Sequence, residues 1–156
     1  MEANFKILNL IDCPQHVPVI AGWMWDEWER SRGWTMEQAI HQSEGWCQRD
    51  AIPWGIVAER EGLPIGSMCL DKQDLPDRPD LSPWMACQYV VKDFRGRGVA
   101  KALSMALEKR ARQLGFKRLY MWTEHKTTLY MRYGYITQFP AHWYGRTVVV
   151  MAKELK

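Results

Sequence analysis

Residues 84–115 constrain this chain more than any other stretch: a strand runs into a glycine-rich turn that opens directly into a helix. Trp84–Val91 is dense in apolar side chains, which predicts a central strand buried on both faces. Arg95-Gly96-Arg97-Gly98 forms the turn. From Gly98 to Leu114, residues Val99, Leu103, Ala106, Leu107, Ala111 and Leu114 recur at helical spacing, and Gly115 is the stop. Such a junction lets backbone N–H groups converge without Cβ obstruction at the positive end of a helix dipole. Arg95, Arg97 and Lys101 add formal charge, so a pyrophosphate is the natural guest. A Gly-x-x-x-x-Gly-Lys-Ser/Thr loop is absent, and a Gly-x-Gly-x-x-Gly fingerprint would need glycine where Lys101 stands.

The remaining pattern supplies a sheet around that unit. Asn4–Leu10 reads as a first strand. Pro14 opens a helix whose stripe is Val17, Ile20, Ala21, Met24 and Trp28, closed by Gly33. Thr35-Met36-Glu37-Gln38 fits a capping box for a second helix, with Met36, Ala39, Ile40, Ser43 and Trp46 facing inward. Pro53–Glu59 and Leu63–Leu70 form a hairpin about Glu61-Gly62, and Asp71–Pro83 is a loop. Downstream come a strand at Arg118–Thr123, a short helix at Thr127–Tyr133, and strands at Tyr135–Phe139 and Thr147–Ala152. The order β-α-α-β-β-β-α-β-α-β-β predicts a mixed α/β sheet with helices on both faces. A length of 156 residues predicts one domain, 1–156.

Charge separates along the chain. Residues 1–80 carry 7 Lys/Arg against 14 Asp/Glu, while residues 81–156 carry 14 against 4. Six of the nine Trp precede residue 55. One half therefore suits an anion, and the other combines acids with aromatic faces. The basic half has no RNA-recognition motif, helix-turn-helix or aromatic interleaving, so no nucleic-acid partner is expected. Apolar residues at 47% and charged residues at 25% exclude disordered and fibrous classes. No apolar run is long enough to span a bilayer, and Met1-Glu2-Ala3-Asn4 lacks a signal-peptide start, so a cytoplasmic protein without a membrane partner is expected. Cys13, Cys47, Cys69 and Cys87 are widely spaced, as are His16, His41, His125 and His142; reduced thiols and no metal site are expected.

Arg95-Gly96-Arg97-Gly98-Val99-Ala100 resembles motif A of the GCN5-related N-acetyltransferase (GNAT) superfamily, Arg/Gln-x-x-Gly-x-Gly/Ala, at every specified position. Leu129-Tyr130-Met131-Arg132-Tyr133-Gly134-Tyr135 is similar to the family's aromatic-Tyr-x-x-x-Gly-aromatic motif, with Leu in the first aromatic place. The likeness covers 84–140 by motif and 1–83 by element order alone. It implies a GNAT-like, mostly antiparallel sheet of six to seven strands with a central splay. It also implies an acyltransferase that moves an acetyl group from acetyl-CoA to an amine by direct attack, without an acyl-enzyme.

On that resemblance, residues take roles. The turn Arg95, Gly96, Arg97, Gly98, Val99, Ala100 and Lys101 would hold the CoA pyrophosphate, mainly through the amides of Arg97, Gly98, Ala100 and Lys101. Backbone groups of Tyr89, Val90 and Val91 would pair with pantetheine amides, and the Val90 N–H would polarise the thioester carbonyl. Tyr130 would protonate the departing thiolate, with Tyr133, one helical turn away, as its competitor. Thr123 and Lys126 stand where many members carry Asn and Ala, which removes a usual side-chain contact to the pantetheine arm. Strand 84–91 holds no acid, so Glu124 or His125 would serve as base, directly or through water. Cys87 as a ping-pong nucleophile lacks a base partner in the sequence.

The acceptor site would be walled by the two N-terminal helices, the 71–83 loop and the 139–146 turn. Trp23 and Trp25 fall off the apolar stripe, beside Asp26, Glu27 and Glu29; with Trp84, they are candidates for binding a small cationic amine of polyamine or aminoglycoside-like type. A peptide or protein N-terminus is the alternative acceptor, and a CoA-binding regulatory or toxin-type module the alternative class. A homodimer is left open.

Overall fold

The computed structural model describes residues 4–156; Met1, Glu2 and Ala3, on which the signal-peptide argument leans, lie outside the described residues. Seven strands make one sheet: β1 (Lys6–Asn9), β2 (Trp54–Arg60), β3 (Leu63–Asp71), β4 (Trp84–Val90), β5 (Arg118–Thr123), β6 (Ile136–Trp143) and β7 (Arg146–Glu154). Their spatial order is β1-β2-β3-β4-β5-β7-β6, antiparallel throughout except between β4 and β5. Helices α1 (Val17–Met24), α2 (Met36–Glu44), α3 (Val99–Gln113) and α4 (Thr127–Arg132) complete the order expected from the sequence.

The helices cover both faces because each strand alternates its side chains. On one face Val99, Leu103, Leu107 and Ala111 of α3 pack on Ile56, Ala58, Ile65 and Val90. On the other, Val17, Ile20 and Met24 of α1 meet Val57, Cys69 and Trp46. Each fully buried Leu or Ile among these contributes about 1.5–3 kcal/mol. A third cluster, Leu75, Trp84, Trp143, Val148 and Val150, lies beneath the loop that follows β3.

The first helical segment departs from the sequence reading. The stretch expected as one helix from Pro14 to Gly33 is a 3-10 turn at Pro14–His16, α1, a π-turn at Trp25–Glu29 and a second 3-10 turn at Arg30–Arg32. The extra residue of the π-turn rotates the chain out of 3.6 periodicity, so Asp26 and Glu27 face solvent while Glu29 is buried. The capping box of α2 is present, Thr35 Oγ1 accepting from Gln38 N–H at 3.2 Å and Gln38 Oε1 accepting from Thr35 N–H at 2.8 Å. Met36, expected inward, is 38% exposed at the first position of α2, although the buried Ala39 and Ser43 continue its face one and two turns further on.

Candidate active site

The sheet opens where the site lies. β4 and β5 share one register pair, Trp84 with Tyr120, and diverge beyond it, whereas β5 and β7 pair over six positions. Parallel neighbours that part after one pair leave the β4 edge facing a gap. Val91 N–H donates to Ile65 O on the β3 side at 2.9 Å, so strand alternation turns the Val90 N–H and C=O toward that gap. The Val90 carbonyl accepts from Arg95 Nε at 2.8 Å, and the Arg95 guanidinium stands 5.7 Å from the centre of the Tyr89 ring. Arg95 is thereby tied to the strand it follows and sets the direction of the turn.

Gly96 and Gly98 adopt φ +74° and +84°, where an L side chain is strained, and Gly98 is the residue from which α3 starts. Arg97 and Lys101 are exposed beside them, and Val99 is buried beneath α3, anchoring its first turn. The arrangement fits a pyrophosphate: first-turn N–H groups at the start of α3, no Cβ at Gly96 and Gly98, and exposed cations beside them.

β4 carries a bulge at its centre. Ser67 pairs with Tyr89 and Cys69 with Ala86, so Met68 alone faces both Cys87 and Gln88. Cys87 takes φ +56° to accommodate the extra residue. The bulge shifts side-chain phase by one: Met85 packs toward α3, while Cys87 and Tyr89 pack toward α1 and α2. Gln88 thus meets Tyr130, whose hydroxyl donates to Gln88 Oε1 at 3.4 Å. Tyr130 is 8% exposed and is edge-packed against Tyr133 and Tyr135 at 6.3 and 6.2 Å. Burial pushes its phenol above the ordinary range, against the lowering effect of Gln88. Tyr133 is half-buried and outside the cavity lining.

A cavity of about 540 Å³ opens at this point. Trp28, Glu29, Arg32, Trp34 and Gln42 wall it on the side of α1 and α2, and Asp71, Gln73, Asp74 and Pro76 on the side of the loop after β3. Its floor is formed by residues 85–88 and 121–126, with Tyr130, Trp143 and Tyr144 closing the far side. Asp74 accepts from Trp122 Nε1 at 2.7 Å; burial, then the charge of Asp71, pushes its carboxyl up to about 8. Burial likewise raises Asp71 and Glu29. Burial and the charges of Asp74, Asp71 and Glu29 push the Cys87 thiol far above its ordinary value, the reverse of an activated nucleophile.

The acceptor candidates read from sequence are placed elsewhere. Trp23 stacks on Tyr89 at 4.9 Å and braces β4. Trp25 donates its Nε1–H to Trp34 O at 2.8 Å beneath the Arg30 guanidinium. Asp26 and Glu27 sit on the outer side of the π-turn. Trp84 is fully buried, donates to Leu81 O at 2.7 Å and packs on Tyr120, so it supports the cavity floor from behind. Glu124, His125, Thr123 and Lys126 do line the cavity; Glu124 accepts from Arg146 Nη1 at 3.0 Å, and His125 is exposed. Glu29, Asp71 and Asp74 form the acidic wall instead. Among the described residues no group of His, Cys, Asp and Glu is arranged to hold a metal ion, and no helix is long and apolar enough to cross a membrane.

A seven-stranded, largely antiparallel sheet thus parts beside a glycine-rich strand-to-helix turn, with Tyr130 lining the cavity that opens there. The acetyltransferase (GNAT) family model matches residues 17–135, and the chain belongs to that family. It is accordingly an N-acetyltransferase, an acyltransferase. No curated protein matches the sequence. Among solved structures, the chain is similar to an aminoglycoside 6'-N-acetyltransferase complexed with coenzyme A (TM-score 0.77, 14% identity, 97% of each chain covered). It is similar also to a GNAT-family acetyltransferase from Streptococcus pneumoniae (TM-score 0.72, 14% identity, 98% of this chain and 100% of that one). A GNAT-family acetyltransferase from Elizabethkingia anophelis with acetyl-CoA bound matches over 65% of this chain and 75% of its own, with TM-score 0.52 and 18% identity.

Proposed function

We propose that the protein transfers the acetyl group of acetyl-CoA to the primary amine of a small cationic acceptor by direct attack. The observation that carries this reading is the cavity at the parted strands: Glu29, Asp71 and Asp74 among Trp28, Trp34, Trp122 and Trp143, with Tyr130 at its inner side. Carboxylates and indole faces together favour an ammonium ion. In this reading the turn Arg95–Lys101 takes the pyrophosphate, and the backbone of Tyr89, Val90 and Val91 takes the pantetheine arm as an added strand. The Val90 N–H then polarises the thioester carbonyl.

The acceptor must shed a proton before it attacks. Asp74, raised to about 8, has the affinity to take it, and its carboxylate remains oriented by the Trp122 N–H. Glu124 is engaged by Arg146 and stands with His125 at the mouth, a route through water rather than direct. The amine nitrogen bonds to the carbonyl carbon, the C–S bond breaks, and Tyr130 gives its proton to the leaving thiolate. Initial rates of CoA release across cationic, zwitterionic and peptide amines test this. Cationic amines are expected to be the best acceptors; turnover of peptide N-termini alone would overturn the reading.

A further inference from the structure

One cation in the cavity wall is already held by the rings that line it. Arg32, which ends the second 3-10 turn, sets its guanidinium 3.8 Å from the centre of the Tyr144 ring, 5.2 Å from that of Trp34 and 5.7 Å from that of Trp143. Its Nη2–H donates to the Tyr144 hydroxyl at 2.6 Å. Trp34 follows the N-terminal helical segment, while Trp143 and Tyr144 stand at the turn between β6 and β7, so the contact joins two walls of the cavity. Three aromatic faces around one charge are the surroundings that an ammonium ion seeks. Arg32 nevertheless leaves a bond unmade. Its Nε–H is buried without an acceptor, and Glu29, one helical turn earlier and 4% exposed, has Oε2 buried without a donor. A matching donor and acceptor, each costly to bury unpaired, therefore stand unjoined in one wall. The guanidinium opposes the effect of burial on the Glu29 carboxyl, so its charge already reaches that group.

Resting on the acetyltransfer reading, we propose that Arg32 sets the affinity for the acceptor by occupying the acceptor's own cation site. It is caged by Tyr144, Trp34 and Trp143 in the resting protein and passes to Glu29 when an amine enters. Guanidinium and ammonium are drawn to the same rings and repel each other, so one must yield. Passage to Glu29 pairs Nε–H with Oε2 and removes both orphaned atoms at once. Gln42 Oε1, buried without a donor in the same wall, is a further acceptor for the forked guanidinium. The move clears Trp34 and Trp143 for the amine and leaves Asp71 and Asp74 to face its charge. A ligand shifts two states only through contacts that differ between them, and here the difference is the cage, filled in one state and open in the other.

The test measures KM for butylamine at saturating acetyl-CoA. Arg32→Met keeps an unbranched stem and removes the charge; it is expected to lower KM for butylamine by about tenfold, the weight of a partly desolvated cation–π contact, with KM for acetyl-CoA unchanged. Tyr144→Phe removes only the hydroxyl that holds Arg32 and is expected to lower KM in the same direction. Glu29→Gln is expected to raise KM, and to lose most of that effect in the Arg32→Met background. An arginine that merely braced the wall would give the opposite sign. A KM raised or unchanged in both Arg32→Met and Tyr144→Phe would overturn the proposal, as would equal effects of Glu29→Gln in the two backgrounds. The exchange is also read without turnover, by magnetic resonance of protein carrying isotopically labelled arginine. The Arg32 Nε–H signal, identified by its loss in Arg32→Met, should move on adding butylammonium chloride and hold still in sodium chloride of equal ionic strength. If no amine accepts acetyl at all, the transfer reading fails and this signal decides the exchange alone: movement supports it, and a fixed signal overturns it.

Discussion

In the proposed transfer, Tyr130 and Asp74 would divide the proton traffic by their surroundings. Burial keeps the Tyr130 phenol protonated, and its ring is fixed by Tyr133 and Tyr135. Tyr130→Phe preserves that packing and removes only the hydroxyl, so it reads chemistry rather than folding. Steady-state kinetics should give kcat lowered by about tenfold or more with KM for acetyl-CoA almost unchanged. Asp74 has the opposite task. Its folded value near 8 means that between about 4 and 8 the folded chain binds a proton that the unfolded chain releases. Its contribution to stability is therefore present in acid and is lost as pH rises through about 8, and the Asp74→Asn melting temperature should fall less than wild type over that window. The same ionisation should appear as a rise in kcat/KM centred near pH 8 that Asp74→Asn abolishes, with kcat lowered by about a hundredfold.

Two local irregularities do the positioning: the β4 bulge, which turns Gln88 toward Tyr130, and the π-turn, which buries Glu29. Neither is legible in the sequence, because each is a one-residue phase shift set by packing against neighbours, and periodic patterns assume no such shift. Cys87 carries no signal for a positive φ, unlike Gly96 and Gly98, whose spacing announces the turn. The order of elements along the chain and the α3 stripe were readable because they depend on local pattern. The carboxylate wall was not, since Asp71 at the end of β3 and Asp74 in the loop after it reach Glu29 only through the fold. At the turn, Gly98→Ala forces a side chain into φ +84°, costing about 1–2 kcal/mol, and puts a Cβ where, on the proposed reading, the phosphates would approach. A lower melting temperature should accompany a raised KM for acetyl-CoA, with kcat less affected.

Across the whole molecule, the charge asymmetry becomes spatial. Three of the acids lining the cavity, Glu29, Asp71 and Asp74, come from the acidic half and Glu124 from the basic half, which also supplies the cations at the turn, Arg95, Arg97 and Lys101. Acetyl-CoA at a hundredfold excess over its dissociation constant should stabilise the fold by about 2.7 kcal/mol, raising the melting temperature by roughly 5–10 °C; nucleic acid should leave it unchanged. The most direct measurement follows the acetyl group itself. Isotopically labelled acetyl-CoA is incubated with the protein, with and without a cationic amine, and both protein and amine are weighed by mass spectrometry. The expected result is label on the amine nitrogen and none on the protein. Label retained on Cys87, or CoA release that no cationic amine accelerates, would contradict it.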